Sequence, residues 1–150
     1  MRGRPVTSPT GSMVEGEHRY DLRVYYEDTD SAGMVYYANY LKFAERGRTE
    51  MLRAAGIEHS VFWRTHGIGF AVRKVTADYL RPARLDDALA VYTRMASICG
   101  ASLIAEQIIR RGAEDLARLL VRIACVTREG RVARLPQTLR AALNNFQSDI

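Results

Sequence analysis

From Arg19 to Tyr26 apolar and polar positions alternate, with Tyr20, Leu22, Val24 and Tyr26 on one side and Arg19, Asp21, Arg23 and Tyr25 on the other. This period of two predicts a strand with one wetter face. The following Glu27-Asp28-Thr29-Asp30-Ser31-Ala32-Gly33 consists of turn formers and side-chain acceptors, which predicts an ordered loop. Beyond it the period lengthens. Tyr40, Ala44, Gly47, Met51 and Ala55 recur at spacings of three and four, while Lys42, Glu45, Arg46, Glu50 and Arg53 project elsewhere, so a helix is expected to run to Gly56. Gly47 on the apolar stripe costs helix propensity of about 1 kcal/mol, and close approach of the helix backbone to a neighbouring element would account for it.

Four strand-like runs come next, 69–80, 88–97, 102–110 and 116–127, separated by Pro82, the Cys99-Gly100 turn and Gly112. His59 and His66 flank Trp63 in a short connecting helix before them, and Pro136 opens an amphipathic helix carrying Leu139, Leu143 and Phe146. Leu119-Leu120-Val121 and Ile123-Ala124-Cys125-Val126 are apolar on both faces, as expected of a sheet that covers a helix on one side and meets a partner subunit on the other. Strand, long helix, then four strands is an α+β arrangement with one helix available to fill a curved antiparallel sheet of five strands.

A chain of 150 residues, 47% hydrophobic, is long enough for one core and short for two. Residues 1–17 are rich in Gly, Pro, Ser and Thr and are read as a disordered tail, leaving 18–150 as a single domain. No apolar run approaches the roughly 18 residues of a membrane span, so a soluble protein with at most peripheral membrane association is expected. Cys99 and Cys125 have neither CxxC spacing nor partners for a disulfide framework or a zinc site, which suits a reducing cytoplasm. The net charge of +5 fits nucleic acid, an anionic surface or a small polyanion such as a coenzyme A phosphate. The arginines are spread along the chain and no nucleic-acid-binding signature occurs, which argues against nucleic acid.

The GxSxG, GxxxxGK[ST] and HExxH motifs are absent, as is a GxGxxG between strand and helix. What remains is the pair Asp28 and Asp30 before a helix N-terminus. The N–H groups there can polarise a carbonyl oxygen, and those near Tyr36 and Tyr37 are placed to do so; a carboxylate just upstream can then attack the carbonyl carbon or activate a water. Thioesters suit this apparatus, because a thiolate leaves without strong protonation, and no metal or cofactor is called for. The competing reading makes Asp30 an N-cap or turn former, the three histidines structural, and the tyrosines Tyr25, Tyr26, Tyr36, Tyr37 and Tyr40 packing residues.

The run from Val24 to Tyr40, VYYEDTDSAGMVYYANY, resembles the signature of 4-hydroxybenzoyl-CoA-type hotdog thioesterases. The likeness continues through Glu45 to Arg53, Val72 to Val75 and Tyr79 to Asp87, where it is similar to the YbgC subgroup of acyl-CoA thioesterases associated with the Tol-Pal envelope system. It implies a hotdog fold, a five-stranded sheet wrapped around a long central helix, and hydrolysis of an acyl-CoA. It also implies Asp30 as the catalytic carboxylate, Asp28 as its support and the backbone N–H of Tyr37 as the carbonyl-polarising amide. Substrate contacts are expected at Gly33, Val35 and Tyr36, and by position at Ser102, Arg131 and Arg134. Tyr37 stands where the YbgC subgroup commonly carries His, which removes an imidazole and leaves the amide. Dimers joined sheet edge to sheet edge, pairing into tetramers with sites at the subunit interface, are the implied assembly. An acyl carrier protein is the alternative partner, for a binding scaffold rather than a hydrolase.

Overall fold

The structure, a computed structural model, describes residues 9–147. Its strands are β1 (Ser12–Val14), β2 (Glu17–Arg23), β3 (Ile68–Tyr79), β4 (Ala88–Cys99), β5 (Ser102–Arg111) and β6 (Glu114–Thr127). Its helices are α1 (Asn39–Ala54), α2 (His59–His66) and α3 (Gln137–Asn144). One antiparallel sheet runs in the order β1-β2-β4-β5-β6-β3. This is the α+β hotdog arrangement implied by the resemblance, with six strands rather than five. The added strand is β1, inside the segment expected to be a tail, where Ser12, Met13 and Val14 pair with Arg19, His18 and Glu17. Residues 1–8 of that tail lie outside the described residues.

Alternation decides which side chains meet the helix. Leu89, Val91 and Met95 of β4, Leu103, Ala105 and Ile109 of β5, and Leu119, Val121 and Ile123 of β6 are all buried against Tyr40, Phe43, Ala44 and Met51 of α1. Leu139, Leu143 and Phe146, on and just beyond α3, complete that core. Two polar side chains sit in it fully buried, Thr93 and Gln107. The Gln107 amide nitrogen donates to Ala44 O and Thr93 Oγ1, each at 2.9 Å, so the interior position carries no orphaned donor. His18, also fully buried, meets Phe146 edge-on and Thr10 O through Nε2, and burial lowers its pKa. Among the described residues no helix is long and apolar enough to cross a membrane.

Gly47 has the close neighbour that its position on the apolar stripe called for. A Cβ built there would lie 2.7 Å from Val91 Cγ1 and 3.3 Å from Gln107 Nε2. Gly47→Ala is therefore expected to destabilise the fold by about 1 kcal/mol in urea titration. Overpacking of about 1–3 kcal/mol outweighs the helix-propensity gain of about 1 kcal/mol. An equally stable variant would mean that Val91 yields freely.

Tyr26 departs from expectation. The alternation carries the first strand to Tyr26 with that ring on the apolar side, whereas β2 ends at Arg23 and Tyr26, 83% exposed, opens a 3-10 turn, Tyr26–Asp28. The cause is a side chain: Asp28 Oδ2 accepts the Tyr25 N–H at 2.8 Å and bends the chain there.

Candidate active site

The bend continues into a turn built around Asp30. Its Oδ1 accepts the N–H groups of Ala32 at 2.9 Å and Met34 at 3.2 Å, its own N–H donates to Met34 O, and its carbonyl accepts from Gly33 N. Gly33 takes φ +75°, which a Cβ would resist. Among the described residues Oδ2 has no partner, and Asp30 is exposed. Asp28 plays the other part: it is buried, and its carbonyl accepts Tyr36 N at 3.1 Å and Asn39 Nδ2 at 2.8 Å. The Tyr36 amide is thereby occupied, while that of Tyr37 has no acceptor among the described residues. Neither aspartate caps α1, whose N-cap Ala38 makes no side-chain cap bond. At the start of α1 the N–H groups of Asn39 and Leu41 donate to Tyr36 O and Ala38 O. The N–H of Tyr37, seven residues after the carboxylate with the unused Oδ2, is left without an acceptor among the described residues and can be offered to a substrate.

A second loop, 82–87, clamps this turn. Val35 N donates to Ala83 O at 2.9 Å, Leu85 N to Gly33 O at 3.2 Å, and Ala83 N to the Tyr40 hydroxyl at 2.9 Å. Burial pushes the Tyr40 hydroxyl's pKa up, so it remains a neutral acceptor. The loop is itself held by Arg111, whose Nη1 reaches Asp87 Oδ2 at 2.8 Å and Pro82 O at 3.2 Å. Val35 is buried, whereas Tyr36 and Tyr37 are exposed, their rings 4.6 Å apart with Tyr37 edge-on to Tyr79 at the end of β3.

Ser102, Arg131 and Arg134 are exposed and lie elsewhere. Ser102 begins β5, whose other end carries Arg111, so it stands about 30 Å along the strand from the Asp30 turn. Leu135 N donates to Gly100 O and Ala133 N to Cys125 O, which keeps 131–134 at the Ser102 end. A cavity of about 660 Å³ occupies the same half of the molecule, walled by Trp63 and Phe62 of α2, Phe70 of β3, Leu103 of β5 and Arg48 of α1. Asp30 and Tyr37 do not line it. Among the described residues no cluster of three or more His, Cys, Asp or Glu is placed to hold a metal ion.

Residues 24–143 match the family model described as the thioesterase-like superfamily. The chain belongs to that superfamily. Across 136 residues it is 35% identical to an acyl-CoA thioesterase YbgC of Haemophilus influenzae, covering 90% of this chain and all of that one. Over 89 residues, 59% of this chain and 66% of the relative, it is 47% identical to an acyl-CoA thioester hydrolase YbgC of Escherichia coli. A probable thioesterase of Bartonella henselae superposes with a TM-score of 0.77 at 38% identity, over 80% of this chain and 99% of that one.

In this thioesterase-like chain, the parts of the site that are far apart along the sequence leave little local signal. Arg111 and Asp87 are separated by 24 residues, and Arg48 lies 59 from Gln107, whose Oε1 it holds at 3.0 Å. The sequence does mark Gln107 as a polar residue at an inward position of an otherwise apolar strand, and a buried amide there demands partners.

Proposed function

We propose that this chain hydrolyses an acyl-CoA, with Asp30 acting on the thioester carbonyl and the Tyr37 amide holding the carbonyl oxygen as it becomes an oxyanion. The observation carrying this reading is that Asp30, held through Oδ1 with Oδ2 unpartnered among the described residues, shares its loop with an N–H that has no acceptor there. As a nucleophile, Oδ2 adds to the carbonyl carbon, coenzyme A leaves as thiolate, and water cleaves the resulting anhydride. As a general base it takes a proton from the water that adds. Either route consumes one water and yields the acid and coenzyme A.

The second half of the reading is a second copy. Strand β3 is an edge of twelve residues with Val72, Val75 and Tyr79 exposed, a long unpaired template that proteins rarely leave open. Two identical edges pair about a two-fold axis only antiparallel. Centred on the middle of β3, that pairing brings Tyr79 of one chain beside Gly69 of the other. The Asp30 turn of each chain then faces its partner's cavity, as well as the partner's Ser102, Arg131 and Arg134, where coenzyme A phosphates would meet guanidinium groups. The acyl group enters the cavity of the partner, and each site is completed by two chains.

Thiol release from short, medium, long and aromatic acyl-CoAs tests the activity. Mixed dimers test the sharing. Asp30→Asn and a cavity-filling Leu103→Trp are each expected to be inactive alone. Randomised together they should regain about a quarter of wild-type turnover, since half the dimers would carry one intact site. No recovery on mixing would place Asp30 and its acyl pocket in one chain.

A further inference from the structure

Arg48 is an unusual wall for an acyl pocket. It projects from α1 between helix and sheet into a cavity lined mainly by aliphatic and aromatic side chains such as Met51, Phe62, Trp63 and Leu103, with Glu45 as the one carboxylate on its wall among the described residues. A guanidinium has five N–H donors, and among the described residues the one bond that Arg48 makes is to Gln107 Oε1, itself fixed by the two bonds from Gln107 Nε2 to Ala44 O and Thr93 Oγ1. Among the described residues no carboxylate forms an ion pair with it. Glu45, three residues earlier on the helix, acts on it only through space, and burial lowers its pKa. A guanidinium aligned by a buried amide and in ion-pair contact with no carboxylate among the described residues has given up hydration that something must replace.

We infer that Arg48 is a specificity-determining residue, and that the cavity takes an acyl group whose far end carries a carboxylate, bound by the free face of the Arg48 guanidinium. This rests on the proposed thioesterase reading and deepens it. The apolar walls accept the methylene chain, the guanidinium fork matches a carboxylate through two parallel bonds, and the volume of about 660 Å³ lies within the ordinary range for small-molecule sites. His59 lines the same cavity with its ring 5.6 Å from that of Phe70.

The test compares chain-matched substrates: butyryl with succinyl, hexanoyl with adipoyl, and octanoyl with suberoyl coenzyme A. The quantity read is the ratio of kcat/KM for the carboxylate-ended member to that for the plain one, which cancels any loss of folded protein within a variant. For at least one pair, wild type is expected to favour the carboxylate-ended member. Arg48→Met should lower that ratio about 10- to 100-fold, and Arg48→Lys by less, because an ammonium keeps the charge without the fork. A ratio that stays within about twofold of wild type in Arg48→Met, or a wild type that rejects every carboxylate-ended substrate while hydrolysing plain ones, overturns the inference. If turnover survives Asp30→Asn, or no substrate turns over, the thioesterase reading fails instead. Calorimetric binding of suberate against octanoate to wild type and Arg48→Met then reports on the cavity alone: preference for suberate lost in the variant supports the inference, and equal binding by both proteins overturns it.

Discussion

Asp30→Asn is expected to lower kcat on the preferred acyl-CoA by about three orders of magnitude while KM changes by less than about threefold. The prediction is sharp because the carboxylate divides its duties between its two oxygens. Oδ1 holds the amides of Ala32 and Met34 and keeps the turn in shape. A carboxamide oxygen accepts those bonds equally well. Oδ2 is the reactive atom, and replacing it by NH₂ removes the charge, the nucleophile and the proton acceptor together; loss of acid–base catalysis alone is worth about 10²- to 10⁴-fold. Asp30→Ala should show a similar loss of kcat with an additional loss of thermal stability, since the turn then loses its two side-chain bonds. Single turnover in heavy-oxygen water separates the two chemical routes, because only direct attack places label in the Asp30 carboxylate. An Asp30→Asn protein retaining more than about a tenth of wild-type kcat would remove Asp30 from the chemistry.

Much of this site was legible because it is local. The turn from Asp28 to Gly33, the helix that follows and the glycine at position 47 all lie within one stretch of chain, and short-range rules of turn chemistry and helical period govern them. What was not legible depends on distant partners. Tyr26 continues an alternating pattern, and only the Asp28 carboxylate, together with pairing of Val24 N to Asp87 O, shows that the strand has already ended. Strand β1 is three exposed residues without alternation, joined to the sheet by pairing with β2 and by the contact of His18 with Thr10 O. Ser102, Arg131 and Arg134 are expected by position to contact the substrate that Asp30 attacks, yet within one chain they and Asp30 stand at opposite ends of the sheet. A single sequence carries no mark of which residues a symmetry axis would bring together.

Arg111→Met carries the second large effect: kcat is expected to fall about 10- to 100-fold with KM within about threefold of wild type. Arg111 touches neither Asp30 nor the Tyr37 amide. It ties Pro82 O to the Asp87 carboxylate and so closes the 82–87 loop, whose Ala83 O and Leu85 N grip the two ends of the Asp30 turn through Val35 N and Gly33 O. Released at one point, the turn can shift by about 1 Å, enough to cost about 10²-fold in a positioned reaction. Arg111→Lys should be intermediate, because one ammonium cannot reproduce the guanidinium geometry toward both acceptors. Acid should act on the same clamp. Burial pushes the Asp87 carboxyl up, but the hydrogen bonds from Arg111 and the Arg84 amide outweigh it and hold its pKa below the ordinary value. A depressed folded-state pKa contributes stability above the unfolded value and loses it as pH falls through the folded one, so the clamp should weaken below about pH 4. Arg81 and Arg111 likewise lower Glu114, and Arg110 and Arg118 lower Asp115, so all three carboxylates feed the acid limb of wild-type stability. The difference between wild type and Arg111→Met in urea titrations across that limb isolates the part that runs through Arg111, and the variant's curve should be the flatter. Arg94→Met, which breaks the ion pair with Glu106 on the opposite face of the sheet, is the control for destabilisation alone and should leave kcat unchanged. Equal kcat losses in the two variants would make Arg111 a contributor to the fold and not to the placement of Asp30.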